Sequence, residues 1–101
     1  DVAVDLRLES VTYGQSFSIL LSAENQKQLF IPKGFAHGFL VTSETAIFFY
    51  KCDNFYNAAS EGGLIYNDST VNIDWGFPEE QLIISEKDVI LPTLQNAKKV
   101  W

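Results

Sequence analysis

His37 and Tyr50 are the residues of this 101-residue chain best suited to moving protons. Both stand in the run from Pro32 to Lys51, PKGFAHGFLVTSETAIFFYK, and His37 is the only histidine. An imidazole binds, donates or accepts a proton near neutrality. A phenol can return a proton to an enolate. Each has an ordinary reading as well: a lone histidine on the surface or in a structural contact, and a strand tyrosine whose hydroxyl is satisfied in the core. Cys52 shares the face of Tyr50 and reads as packing. One His and one Cys fall short of the three protein ligands common at zinc or iron sites, so carboxylates would have to complete such a site. Metal catalysis is disfavoured on that count. Tyr56 and Tyr66, with Phe55, are either packing anchors or platforms for a flat ring. Glu61 and Lys87 are either solvated charges or ligand contacts, and a cation beside a helix start suits a phosphate. Asp88 is either a helix-capping carboxylate or the group that orients a histidine base.

Short strands must position these groups. After Gly34 the side chains alternate, so Phe35, His37, Phe39 and Val41 share one face. Ser43-Glu44-Thr45 reads as a polar turn. The following strand, residues 45–52, puts Phe48 and Tyr50 on one face. In a single sheet, the imidazole and the phenol would line one apolar concavity. Upstream, residues 2–8, 16–21 and 28–31 read as further strands, the last stopped by Pro32. Gly14 is expected in the left-handed region and Ser22 to Asn25 in a turn. Residues 53–72 read as a long irregular loop of the kind that often binds ligands. Ser85 is expected to cap a helix that Pro92 limits to about one turn. About five close-set strands without a convincing helix between them predict an all-β antiparallel sandwich or barrel, formed as one domain over residues 1–101.

Composition narrows the function classes. Hydrophobic residues make up 47 % of the sequence, which suits a globular domain. The formal net charge of −6 argues against a general nucleic-acid surface while leaving room for an anionic small molecule held by local cations. No apolar run is long enough for a membrane span. One cysteine excludes an internal disulfide and suits a reducing compartment. The sequence contains no methionine and opens within a strand pattern, so residues ahead of it are expected to be missing.

The run QLFIPKGFAHGFLVTSETAIFFYKCDNFYNAASEGGLIYNDS, followed by IDW and ISEKD, resembles the dTDP-4-dehydrorhamnose 3,5-epimerase family. So do the opening VDLR, the TYG and the LSAEN turn. The resemblance runs from about residue 2 to about residue 92. It implies a cupin-type β-jelly roll, here partial and lacking N-terminal strands. It also implies a homodimer, a cytoplasmic setting, no cofactor and a dTDP-4-keto-6-deoxyhexose substrate. Motif by motif, it implies that Tyr50 is the proton donor and that Asp88 pairs with the catalytic histidine. His37, Tyr56, Glu61 and Lys87 are implied to bind substrate. The catalytic histidine itself is implied to lie ahead of the DLR strand, so these 101 residues are expected to be inactive alone. Ile65-Tyr66 stands where Arg-Trp is common, which puts some nucleotide contacts in question. A sugar epimerase acting at one centre, a non-catalytic sugar-nucleotide-binding module and, more distantly, a metal-dependent cupin oxygenase are the competing readings.

Overall fold

The computed structural model describes residues 1–48, 50, 51 and 62–97. The Phe49 position, Cys52, Phe55, Tyr56 and Glu61 lie outside that set.

The framework is a three-stranded antiparallel sheet. The strands are β1 (Val2–Asp5), β2 (Ser16–Ser18) and β3 (Phe35–Gly38), in the spatial order β2-β1-β3. Ala3 stands opposite both Phe17 and His37, and Val4 opposite both Ser16 and Ala36. The central strand is buried at all four positions, as expected for a strand paired on both sides and covered on both faces. Val2, Ala3 and Val4, with Leu94 and Ala97 from the C-terminal segment, are the buried apolar residues among those described. A short 3-10 turn, Glu79–Gln81, follows Pro78, and a single-turn helix, α1 (Glu86–Val89), follows Ser85. No helix among the described residues is long and apolar enough to cross a membrane.

The strands are shorter than their sequence patterns predict, and local hydrogen bonds explain part of this. The residue 2–8 pattern stops at Asp5 because the backbone turns back on that carboxylate. Arg7 donates its backbone N–H to Asp5 Oδ1 at 2.9 Å, and Ser10 N–H closes a turn onto the Arg7 carbonyl at 3.1 Å. Past Ser18, Ile19 still exchanges two backbone bonds of 2.9 Å with Asp1, and beyond Ile19 side chains take over. Asn25 Nδ2 donates to the Leu20 carbonyl at 2.9 Å, and Ser22 and Asn25 exchange two bonds of 3.1 Å. The expected strand at 28–31 does not form, and Phe30 is 84 % exposed. The expected strand at 45–52 is irregular at each described position.

The punctuation follows the sequence more closely. Gly14 has φ +80° and Gly34 has φ +87°, the left-handed conformation that a Cβ disfavours. The two turns return the chain to β1, with Gly14 N–H donating to the Asp5 carbonyl at 2.8 Å and Leu6 N–H to the Gly34 carbonyl at 2.9 Å. Ser85 occupies the N-cap position with φ −66° and ψ 151°, but its side chain makes no cap bond. The anticipated Ser85–Asp88 capping box is therefore not formed by side chains. The helix ends before Pro92 as expected, with Ile90 at its C-cap.

Candidate functional site

β3 presents its residues alternately. By register Ala36 and Gly38 share a face with Val4 and Val2, and all four line a cavity of about 800 Å³. Alternation turns His37 to the other face, beside Ala3, although the residue also borders the cavity. Its ring lies among aromatics. His37 stacks on Phe48 at 5.9 Å between centroids with an interplanar angle of 15°, and sits 6.3 Å from Phe39. Phe39 and Phe48 stack at 4.2 Å, and Tyr50 tilts against Phe48 at 5.4 Å. The imidazole and the phenol thus belong to one aromatic row, as their spacing predicts, although the 45–51 segment does not pair as a strand. The row is open rather than enclosed: Tyr50 is 68 % exposed, and Phe39 and Phe48 are nearly half exposed.

His37 Nε2 contacts the Asp1 carboxylate. Burial lowers the imidazole's pKa. A neutral imidazole with Nε2–H donating to the carboxylate fits both observations. Tyr50 is mostly exposed, and none of the hydrogen bonds among the described residues involves its hydroxyl.

Asp88 sits on α1 and lines the cavity with Ser85 and Leu91. It is not the carboxylate that contacts His37, since Asp1 fills that place. The cavity therefore joins the element carrying His37 to the element carrying Asp88, while Tyr50 stands on the aromatic row beside them. Lys87, on the same helical turn as Asp88, is exposed and has no ion pair among the described residues. Tyr56 and Glu61 lie outside the described residues.

Two buried carboxylates and a cavity-lining indole were not singled out by the sequence reading. Asp5 accepts from Arg7 Nε at 3.0 Å and Arg7 Nη2 at 2.9 Å, and from Ser10 Oγ at 2.6 Å and Thr12 Oγ1. The Arg7 guanidinium holds this carboxyl far below the usual range; the two hydroxyls help, and burial opposes them. Arg7 also lies over the Phe35 ring, 4.9 Å from its centroid. An Asp two residues before an Arg at a strand end was the available signal. Asp68 accepts from the backbone N–H groups of Thr70, Val71 and Leu94. Burial works to raise its pKa, but those three donors outweigh it and the net direction is down. Trp75 lines the cavity and donates Nε1–H to the Tyr66 carbonyl at 2.9 Å. Tyr66 donates its hydroxyl to Glu79 at 2.7 Å, a bond that, with partial burial and the adjacent negative charge, raises the phenol's pKa.

Comparison with known proteins places this arrangement among relatives. A family model described as dTDP-4-dehydrorhamnose 3,5-epimerase matches residues 1–96. The chain is 50 % identical over 100 residues to the dTDP-4-dehydrorhamnose 3,5-epimerase of Salmonella typhimurium, covering 96 % of this chain and 52 % of that protein. It is 53 % identical over 95 residues to the Escherichia coli K12 protein of the same name, covering 93 % of this chain and 50 % of that one. Among solved structures, the dTDP-4-dehydrorhamnose 3,5-epimerase of Elizabethkingia anophelis superposes with TM-score 0.90 at 56 % identity, over 93 % of this chain and 51 % of that one. The dTDP-6-deoxy-D-glucose-3,5-epimerase of Legionella pneumophila, solved with dTDP-4-keto-L-rhamnose, superposes with TM-score 0.88 at 47 % identity, over 94 % and 50 % of the two chains. The chain spans about half the length of the relatives it matches.

Proposed function

The chain belongs to the dTDP-4-dehydrorhamnose 3,5-epimerase family, and on that premise we propose that it forms the proton-donating part of such an enzyme. The reaction converts dTDP-4-dehydro-6-deoxy-D-glucose to dTDP-4-dehydro-L-rhamnose by inverting C3 and C5. The observation that carries the proposal is the likeness, at 47 % identity, to a structure solved with dTDP-4-keto-L-rhamnose.

The chemistry needs a base, an acid and a place for negative charge. The C4 ketone acidifies the protons at C3 and C5. A base removes one of these protons from one face of the ring, and the electron pair moves onto the C4 oxygen as an enolate. An acid returns a proton to the carbon from the opposite face, and the ketone reforms. Tyr50 is the acid: its hydroxyl is exposed and unpartnered among the described residues. His37 binds substrate; with Nε2–H given to the Asp1 carboxylate, the neutral ring offers Nδ1 as an acceptor. Asp88 orients the histidine that acts as base. Lys87, Tyr56 and Glu61 contact the substrate, Tyr56 by stacking on the thymine. The ketone is the electron sink, so no cofactor is required. The sheet is one portion of a cupin-type jelly roll, and the enzyme is a cytoplasmic homodimer.

His37 is the only imidazole in these 101 residues. We expect them alone to leave substrate unexchanged. The test is deuterium wash-in to dTDP-4-keto-6-deoxyglucose, followed by NMR, with this chain and with a version carrying upstream sequence. Exchange at C3 and C5 only with the longer version supports the assignment. Saturable dTDP binding without exchange in either would overturn it in favour of a binding module, and exchange at one carbon would favour a single-centre epimerase.

A further inference from the structure

Trp75 makes contacts at two ends of its side chain. At one end, its Cη2 atom lies 3.6 Å from where a Cβ on Gly38 would stand, so the indole edge packs against the β3 backbone beside His37. At the other, Nε1–H donates to the Tyr66 carbonyl at 2.9 Å. The residue before Tyr66 continues the connection: Ile65 N–H donates to the Pro92 carbonyl at 2.8 Å. Pro92 follows Leu91, and Leu91 closes the turn that carries Asp88. His37, Gly38, Trp75, Tyr66, Ile65, Leu91 and Asp88 all border the same cavity. A single indole therefore links the strand bearing His37 to the Tyr66 loop, which the Ile65–Pro92 bond ties to the segment that follows Asp88.

We propose that Trp75 is a positioning residue that sets the span between the His37 strand and the Asp88 turn, and that its indole N–H, not only its bulk, maintains that span. The proposal rests on the epimerase reading for its consequence in catalysis, while the span itself is a property of the fold. Two physical reasons single out this contact. Gly38 offers no side chain, so the ring meets the strand at a close, defined distance. The Tyr66 carbonyl belongs to a loop residue, so its position depends on bonds such as this one and the Tyr66–Glu79 contact. Without the N–H, the loop segment can withdraw from the indole, and Pro92 moves with Ile65. His37 holds substrate and Asp88 orients the base, so the span sets one against the other, and about 1 Å of misplacement can cost about a hundredfold in rate.

The test uses the complete enzyme with Trp75→Phe and, as the isosteric control, benzothienylalanine at position 75, which keeps the bicyclic shape and lacks the N–H. Two readouts are taken on each. In the first, kcat for C3 and C5 inversion is expected to fall about tenfold while KM changes less than about threefold, because the substituted residue is not among the assigned substrate contacts. In the second, the backbone amide resonances of Gly38 and Asp88 are expected to shift in both variants, whether or not the protein turns over. Unmoved Gly38 and Asp88 amides in the isosteric variant would overturn the proposal. So would inversion within twofold of the unaltered enzyme. An unaltered enzyme that fails to invert its substrate while the amides still shift would refute the epimerase assignment and leave the span established.

Discussion

Replacing Asp68 by alanine is expected to cost about 3–5 kcal/mol, a large share of the roughly 5–15 kcal/mol available to a domain of this size. The figure follows from the three N–H groups that this carboxylate satisfies. Leu94 N–H reaches Oδ2 at 2.7 Å in a buried setting. Left without an acceptor, it costs about 1–3 kcal/mol. Thr70 and Val71 N–H reach Oδ1 at 2.8 and 2.9 Å where water has partial access, so their loss adds about 1 kcal/mol each. Asp68→Asn separates the terms. Its carbonyl keeps the Thr70 and Val71 bonds, but its amide turns a donor toward Leu94 N–H, so about half the cost remains. Acid should reproduce the effect. The folded-state pKa lies below the unfolded value, so the contribution is complete above the unfolded carboxylate's pKa near 4 and is lost as pH falls through the lower, folded one. Urea unfolding at pH 7 and at successively lower pH, with hydrogen exchange of the Leu94 amide, reads all three. An alanine variant within 0.5 kcal/mol of the parent at pH 7, or an unchanged Leu94 exchange rate, would refute the reasoning; that 0.5 is roughly the scatter of a neutral surface substitution.

Three further outcomes are expected. Tyr50→Phe in the complete enzyme should slow inversion by about 10²–10⁴-fold while nucleotide-sugar affinity stays within about threefold, measured by NMR turnover and calorimetry; unchanged rates at both centres would remove Tyr50 from the acid role. Gly14→Ala should destabilise by about 1–2 kcal/mol in thermal unfolding, because φ +80° is strained for alanine and its Cβ would meet Leu94 Cδ2 at 3.2 Å. Asp5→Asn should lower the urea midpoint and flatten its acid dependence, because the depressed Asp5 pKa makes the ionised form the stabilising one, lost only as pH falls; a steep acid limb that survives the change would contradict this.

The sequence was most informative where backbone geometry depends on residue type. Gly14, the Ser22–Asn25 turn and the Pro92 limit on α1 follow from local chemistry, and the structure has them. The shared aromatic face of His37, Phe39, Phe48 and Tyr50 follows from period-two alternation. Strand lengths were less legible, because a β pattern needs a partner. Phe30 has the residue type of a strand, but residues 28–31 have no partner strand among those described. The buried carboxylates were hidden for the opposite reason: Asp5 and Asp68 look like solvated charges until their donors are located. Trp75 was beyond local reading altogether, because its two contacts, Tyr66 and Gly38, lie 9 residues away along the chain and on a separate strand. The family was named by motif resemblance and not by any of this geometry.

The Asp5 cluster has a consequence for the order in which the chain assembles. Its side-chain donors, Arg7, Ser10 and Thr12, lie within 7 residues of the acceptor. Such a short loop closes in about 10–100 ns, before much chain entropy has been spent. The corner between β1 and β2 can therefore form and hold itself while the rest of the chain is still searching. Pairing of β1 with β3 is different, since Ala3 must find His37 across more than 30 intervening residues. The DLR corner is thus expected to act as a seed, a locally encoded edge onto which the strand bearing the imidazole zips later.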